Sequence, residues 1–482
     1  MPVEAAVSDE LSSKTVNQVA EVNWKYFFTI SAIGALGGIL FGFDTAVISG
    51  TIGPLETQFQ LSPAMLGWTV SSVLLGSVLG AAVAGPLSDR HGRKLVLILS
   101  AALFLISALG SATAPSLSLL IVARMVGGVG VGFAGMVCPL YIAEISPERV
   151  RGAMVGLYQL AICVGVLAAY FSNDYVRGLA ETLGASATSD DGFWEWQLIE
   201  IWRAMFGTEV VPAGLFFFLL LLVPESPRYL AKMGHESRAL EILSRISNQE
   251  TAKKQLGEIH EVIAQESGSL RQLFEPGVRR ALLIALYLSV FSQLSGIDLI
   301  IHYGPEIFES AEFSFADALD AQVIIGVVLV VFTVLAMWTV DSMGRRKLLA
   351  IGNVGVFLAL VAMGSFFYFE VKEGSWLIVT ISVFIACFAF SLGPIPWIVM
   401  SEIFPTKIRG RAMAIATLVL FASTGVLAYA FPIMQKYLGE HGTFWLLAGL
   451  SLPTFLFVWK VMPETKGRTL EEIEQWWSEK PD

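Results

Sequence analysis

The sequence predicts an all-α membrane protein of twelve transmembrane helices, arranged as two pseudo-symmetric six-helix halves joined by a helical linker. Three observations predict it. Hydrophobic residues make up 55% of the 482 positions and charged residues only 15%, against roughly 25% charged in soluble domains. The apolar residues fall in long runs, and about 18 or more in succession are enough to cross a bilayer. The motifs that separate those runs occur twice along the chain.

The N-terminal tail, 1–24, is polar and lacks a basic segment followed by a short apolar core, so it does not read as a cleavable signal peptide. The first half is expected over 25–227, with helices at about 27–50, 66–88, 95–114, 117–140, 153–172 and 204–223. The third and fourth of these are separated only by a short turn around Pro115. An interval over 228–278 carries both signs of charge with helical apolar spacing, as in HESRALEILSRI, and is expected to form short amphipathic helices on the cytoplasmic face. A disordered linker is the alternative. The second half, 279–462, is expected to span at about 279–303, 321–340, 348–369, 375–400, 412–435 and 443–462, and a tail over 463–482 follows.

Loop charge sets the expected orientation. DRHGRK (Asp89–Lys94), ERVRG (Glu148–Gly152), GRRK (Gly344–Lys347) and TKIRGR (Thr406–Arg411) are dense in Lys and Arg, whereas Gly53–Met65 and His302–Gln322 contain neither. The positive-inside rule places the basic loops in the cytoplasm. An even number of spans then places both termini there.

The repeat is explicit in these loops. Asp89, Glu144 and Arg151 recur as Asp341, Glu402 and Arg409 at offsets of 252, 258 and 258, and PESPR (Pro224–Arg228) recurs as PETKG (Pro463–Gly467) at 239. The first half therefore carries about 19 extra residues, in the outer segment containing DDGFWEWQ. Internal repeats of this kind build alternating-access transporters with a midplane site between the halves. The repeated charges, Asp89 with Arg93, Glu144 with Arg151, Glu225 with Arg228, Asp341 with Arg345, Glu402 with Arg409, and Glu464, are expected to bridge helix ends and hold the cytoplasmic side shut. Solvated topology determinants would explain some of the Lys and Arg, but not acid and base recurring in the same order.

Several classes are excluded. A net charge of −10 with no basic stripe speaks against nucleic acid. Cys138, Cys163 and Cys387 all lie in apolar segments, so neither a disulfide framework nor a metal cluster is expected. The glycine spacing GGVGVG lies inside an apolar span with no strand before it and is not a nucleotide loop. No enzyme, cofactor or metal is expected.

GGILFGFDTAVISG (Gly37–Gly50), RMVGGVGVG (Arg124–Gly132), YIAEISP, PESPRYL (Pro224–Leu230), SEIFPTKIRG and PETKG together resemble the sugar porter family of the major facilitator superfamily over roughly 25–470, with the bacterial xylose–proton symporters as the nearest likeness. The resemblance implies the major facilitator fold and proton-coupled import of a sugar or sugar-like polar solute.

A charge inside a membrane helix is costly and marks function by default. Asp44 lies in the first span and Arg124 near the start of the fourth. The resemblance implies that the two meet and that the aspartate couples to protons. A permanent ion pair is the structural alternative. The resemblance also implies sugar contacts from Gln159 in the fifth helix, Gln293 in the seventh, and Gly393 and Trp397 in the tenth. The pattern breaks at Ser292, Asp298 and His302, where the family has Gln, Asn and Tyr, and at Leu420-Phe421, where xylose transporters have Gln-Trp. Asp298 and His302 are four apart and share a helix face. Such a pair suits a hydroxyl-rich ligand, an amine clamp, a second titratable proton, or a local pair with no ligand role.

The implied partners are a sugar, polyol or amino sugar, protons and a lipid bilayer. The expected molecule is a monomer in a bacterial inner membrane. A passive facilitator and a non-transporting nutrient sensor are the competing functions. Phe27, Phe28, Trp68, Phe216, Phe217, Trp338, Trp445 and Trp459 are expected at lipid-facing or interfacial positions.

Overall fold

The computed structural model describes residues 22–147, 150–184, 200–265, 270–275, 278–371, 374–404, 408–462 and 464. Eleven of its helical segments are long and apolar enough to span a bilayer. The last of these holds two spans, so the chain is a twelve-span integral membrane protein.

The first span is α1 (Trp24–Val47), a 3-10 turn (Ile48–Thr51) and α2 (Ile52–Phe59). It runs past the expected end and takes in part of Gly53–Met65, which the sequence suggested as a loop. Helices α3 (Pro63–His91), α4 (Arg93–Thr113), α5 (Leu117–Ile145) and α6 (Arg151–Gly184) are the next four spans. The sixth is broken into α7 (Ile201–Gly207) and α8 (Val210–Leu222). The helices α9 (Pro227–Lys232), α10 (Glu236–Ile246) and α11 (Gln249–Gln265) follow. The seventh span is α12 (Val278–Leu294) and α13 (Ile297–Glu309), broken at Gly296, whose φ is +88°. Helices α14 (Phe315–Met343) and α15 (Arg345–Tyr368) are the eighth and ninth. The tenth is broken into α16 (Gly374–Phe390) and α17 (Ile395–Ile403). The eleventh and twelfth form one helical stretch, α18 (Arg409–Lys460), interrupted by non-helical Gly439.

Local chemistry sets several starts. Asn23, Ser62, Ser116 and Ser314 each accept the N–H three residues on, which satisfies a donor the helix itself leaves unpaired. Between the helices of each half, glycine permits backbone contact. A Cβ on Gly128 of α5 would sit 2.0 Å from the Val73 carbonyl oxygen of α3, and one on Gly42 of α1 would sit 2.0 Å from that of Ile162 in α6. Small residues at such crossings are the usual packing device in membranes.

Trp338, Val211, Leu222 and Phe218 are at least two-thirds exposed, as lipid-facing side chains are. Phe28, Trp68, Trp445 and Trp459 are exposed as well. Phe27 and Phe216 are not: both are fully buried, Phe216 against Gly37. The absent glycine side chain creates the room for that ring.

The two halves meet asymmetrically. At the end opposite the basic loops, the 3-10 turn and α2 of the first span pack on α13. Tyr170 of α6 donates to the Ile301 carbonyl oxygen at 3.2 Å, and Arg177 of α6 lies 3.9 Å from Asp320 of α14. At the basic-loop end, α5 and α17 form no comparable packing among the described residues. Among the described residues the two halves are closed together at the end opposite the basic loops.

Candidate functional site

The midplane of the first half holds three ionisable side chains, each no more than 1% exposed: Asp44 of α1, Arg124 of α5 and Glu209 between α7 and α8. Arg124 donates to Asp44 Oδ1 at 2.5 Å and to the Asp44 backbone carbonyl at 2.8 Å. Its guanidinium also lies 5.2 Å from the centre of the Phe206 ring, a cation–π distance. Two contacts from one planar fork fix the orientation of Asp44 as well as its charge.

Glu209 faces the other side of Asp44. Asp44 Oδ2 and Glu209 Oε1 are buried and accept no hydrogen bond from any donor among the described residues. Two carboxylates facing one another present lone pairs only. A proton between them turns that repulsion into an O–H···O bond. Glu209 was not among the residues singled out from the sequence. The signal was present: Glu209 is the single charge in FGTEVVPAGLFFFLLLL. It falls within the span expected at about 204–223, where a lone charge is the same signal that marks Asp44 and Arg124.

Facing this triad from the second half is His302 of α13. It is fully buried, and neither ring nitrogen has a hydrogen-bond partner among the described residues. One turn earlier, Asp298 is half-buried in the first turn of α13. Gln293 of α12 is buried with its Oε1 unpartnered, and Ser292 donates back to the Ser289 carbonyl at 3.3 Å. Gln159 lies on α6 beside Cys163, whose sulfur is 3.4 Å from Thr333 Oγ1 of α14. Leu420 and Phe421 of α18 are buried, and the Phe421 ring lies 5.9 Å from that of Phe41 in α1. Gly393 falls in the break between α16 and α17, and Trp397, half-buried, in α17.

The repeated charges at the basic-loop end assemble differently from expectation. Arg93 grips both oxygens of Glu144 at 3.0 Å and reaches Asp89 at 3.3 Å. Ser226 donates to Glu144 at 2.5 Å, while Arg228 stands 4.0 Å off. Glu225 accepts the backbone N–H groups of Arg93 and Lys94. Burial pushes the Glu225 carboxyl up from its ordinary value, and the N–H groups of Ser226, Lys94 and Arg93 oppose that shift.

The second half repeats the arrangement: Arg345 donates to Glu402 at 2.8 Å, and Glu464 accepts the N–H groups of Arg345 and Arg346. Gly92 and Gly344, with φ of +97° and +88°, turn the chain so that these N–H groups face the carboxylates. A Cβ on Gly92 would collide with Glu225 Oε2 at 2.2 Å.

Glu144 therefore pairs with Arg93 and not with Arg151, which is exposed on the first turn of α6. Arg409 donates to the Phe404 carbonyl oxygen. The side chain of Asp341 and the segment DDGFWEWQ lie outside the described residues. In every one of these pairs both partners belong to the same half, so the pairs tie helix ends within a half and do not bridge the two.

A family model described as "Sugar (and other) transporter" matches residues 30–477. The chain is 42% identical over 453 residues to a Bacillus subtilis protein named arabinose-proton symporter, covering 94% of this chain and 95% of that protein. It is 37% identical over 492 residues to the D-xylose-proton symporter of Escherichia coli K12, covering 95% and 97%. Among solved structures it is similar to a partially occluded inward-open form of the xylose transporter XylE from E. coli. The TM-score is 0.80 at 35% identity, over 92% of this chain and all of that one. The form of XylE bound to 6-bromo-6-deoxy-D-glucose superposes with a TM-score of 0.77 at 35% identity, over 94% of this chain and 100% of that one.

Proposed function

Because the chain belongs to the sugar transporter family, we propose that it is a proton-coupled symporter importing a sugar or sugar-like polar solute by alternating access. The observation that carries this reading is the buried triad of Asp44, Arg124 and Glu209. Two carboxylates and one guanidinium sum to −1 without a proton and to zero with one. A neutral site crosses the closed, water-poor intermediate more readily than a charged one. Closure thus favours the proton-loaded triad, and the proton gradient supplies the direction.

The positive-inside rule assigns the basic loops and both termini to the cytoplasm of a bacterial plasma membrane. The closed end opposite the basic loops is then the outer gate, and the conformation is inward-facing. The halves, 25–227 and 279–462, rock as bodies about the 228–278 linker, and a monomer in the bilayer is the working unit. The intra-half pairs of Arg93 with Glu144 and Arg345 with Glu402 stiffen the two bodies.

Solute sits between them, against Gln159, Ser292, Gln293, Asp298, His302, Gly393 and Trp397, with Leu420 and Phe421 as the apolar wall. The unpartnered Gln293 Oε1 and His302 nitrogens supply polar contacts that the protein itself leaves open. Arabinose and xylose, the solutes in the relatives' names, are the first probes.

The test is proteoliposomes in weak buffer with a pH electrode outside. Adding the transported sugar alkalinises the medium, and Asp44→Asn removes the response while solute still equilibrates down its gradient. Tracer uptake by the native protein with no alkalinisation would make it a facilitator and leave Asp44 a structural charge.

A further inference from the structure

Helix α13 carries a proline in its interior. Pro305 has no N–H, so the carbonyl of Ile301, four residues earlier, loses the donor that an unbroken helix would give it. Both residues are buried, and a backbone carbonyl left unpaired in such a place costs about as much as a lost hydrogen bond. Two side chains from outside the helix supply what Pro305 withholds.

The first comes from the other half. Tyr170 of α6, 1% exposed, donates to the Ile301 carbonyl at 3.2 Å. Its ring lies against Gly326 of α14, where a Cβ would sit 2.9 Å from Tyr170 Cδ2. The second comes from the same half as the carbonyl. Gln322 of α14, fully buried, donates through Nε2 to the Ile301 carbonyl at 3.3 Å and to that of Ile300 at 3.2 Å. Gly304 makes room for the amide, since a Cβ there would stand 2.2 Å from Gln322 Oε1. Tyr303 of α13 also bonds within its own half, donating to the Ala428 carbonyl of α18 at 2.8 Å.

The two donors part company when the outer ends separate. Tyr170 travels with the first half and leaves the carbonyl behind. Gln322 stays with α13, so the carbonyl keeps a donor throughout. With Tyr170 alone, opening would strand an acceptor at the full desolvation cost; with Gln322 beside it, opening costs the net worth of one hydrogen bond.

We propose that the Ile301 carbonyl freed by Pro305 is the latch of the outer gate, held shut by Tyr170 and passed to Gln322 as the gate opens. The balance between the two donors sets how often the empty carrier faces outward. One neutral hydrogen bond corresponds to a change of about fivefold in that population.

The test reads the gate directly. Ser49, 1% exposed in the 3-10 turn that packs on α13, is replaced by cysteine as a reporter. Right-side-out vesicles are labelled from outside with a membrane-impermeant maleimide, and the protein without the reporter gives the background rate. The measurement needs neither solute nor a proton gradient, so its failure and the failure of the symport reading are separate results.

Tyr170→Phe keeps the ring on Gly326 and should speed labelling about fivefold. Gln322→Leu strands the carbonyl only in the open form and should slow labelling about fivefold. With Tyr170→Phe already present, Gln322→Leu should change nothing, because the carbonyl is then equally bare in both forms. Pro305→Ala restores the missing N–H, and in that background both substitutions should lose their effect. An unchanged rate in Tyr170→Phe, or an effect that survives Pro305→Ala, overturns the proposal. So does an unchanged or faster rate in Gln322→Leu, which would mean that water, not Gln322, takes the carbonyl. The Tyr170→Phe and Pro305→Ala arms decide the matter even if Gln322→Leu is not recovered folded.

Discussion

Arg93→Ala should lower the melting temperature of the purified protein more than any other single change at the basic-loop end. Arg93 is 6% exposed and its partner Glu144 is 3% exposed; the guanidinium binds both carboxylate oxygens and also the Ser88 carbonyl. Removing one partner of a buried pair costs about 3–5 kcal/mol, because the other charge is left without compensation. Ser226 still donates to Glu144 and Arg228 stands 4.0 Å away, so the low end of about 3 kcal/mol applies here.

A half of this protein resembles a domain of about 200 residues, for which 1 kcal/mol moves the midpoint by about 2–4 °C. The expected loss is therefore about 6–12 °C. Arg345→Ala is the internal control, since that pair is 12% and 24% exposed and better hydrated. It should cost less. Intrinsic-fluorescence melting of detergent-purified protein reads both. A shift below about 2 °C for Arg93→Ala, or a larger loss for Arg345→Ala, would refute the claim that burial sets the strength of these clusters.

Three further outcomes follow from the geometry. Glu209→Gln places an amide donor against Asp44, which holds the aspartate as an anion; sugar-dependent alkalinisation should fall at least tenfold, with tracer exchange retained. Gly128→Ala drives a Cβ to 2.0 Å from the Val73 carbonyl oxygen, where no flexible side chain gives way; overpacking of about 1–3 kcal/mol should reduce both folded yield and melting temperature. Arg177→Ala removes the cross-half contact with Asp320 at the outer end. Surface pairs are worth at most about 1 kcal/mol, so the outward-open population should rise by no more than about fivefold, measured by thiol labelling of cysteines placed in the outer cleft.

Much of this protein is legible before folding. The long apolar runs account for all twelve spans, because bilayer crossing imposes a length and a polarity on each segment separately. Asp44 and Arg124 stand out for the same reason: an ionised side chain inside such a run is expensive wherever its partner comes from. The repeated loop motifs announced two halves.

What depends on contacts between distant segments was decided only in three dimensions. Glu209 acquires its role by facing Asp44 across helices about 165 residues apart in sequence. Glu144 pairs with Arg93 and not Arg151 because Gly92 turns the chain back upon the carboxylates. The breaks at Gly296 and before Ile395 fall at Ser-Gly and Gly-Pro steps inside apolar runs, where such residues permit a break without requiring one. Periodicity and composition are local properties, whereas a proton's position depends on which lone pairs face one another after the helices have packed.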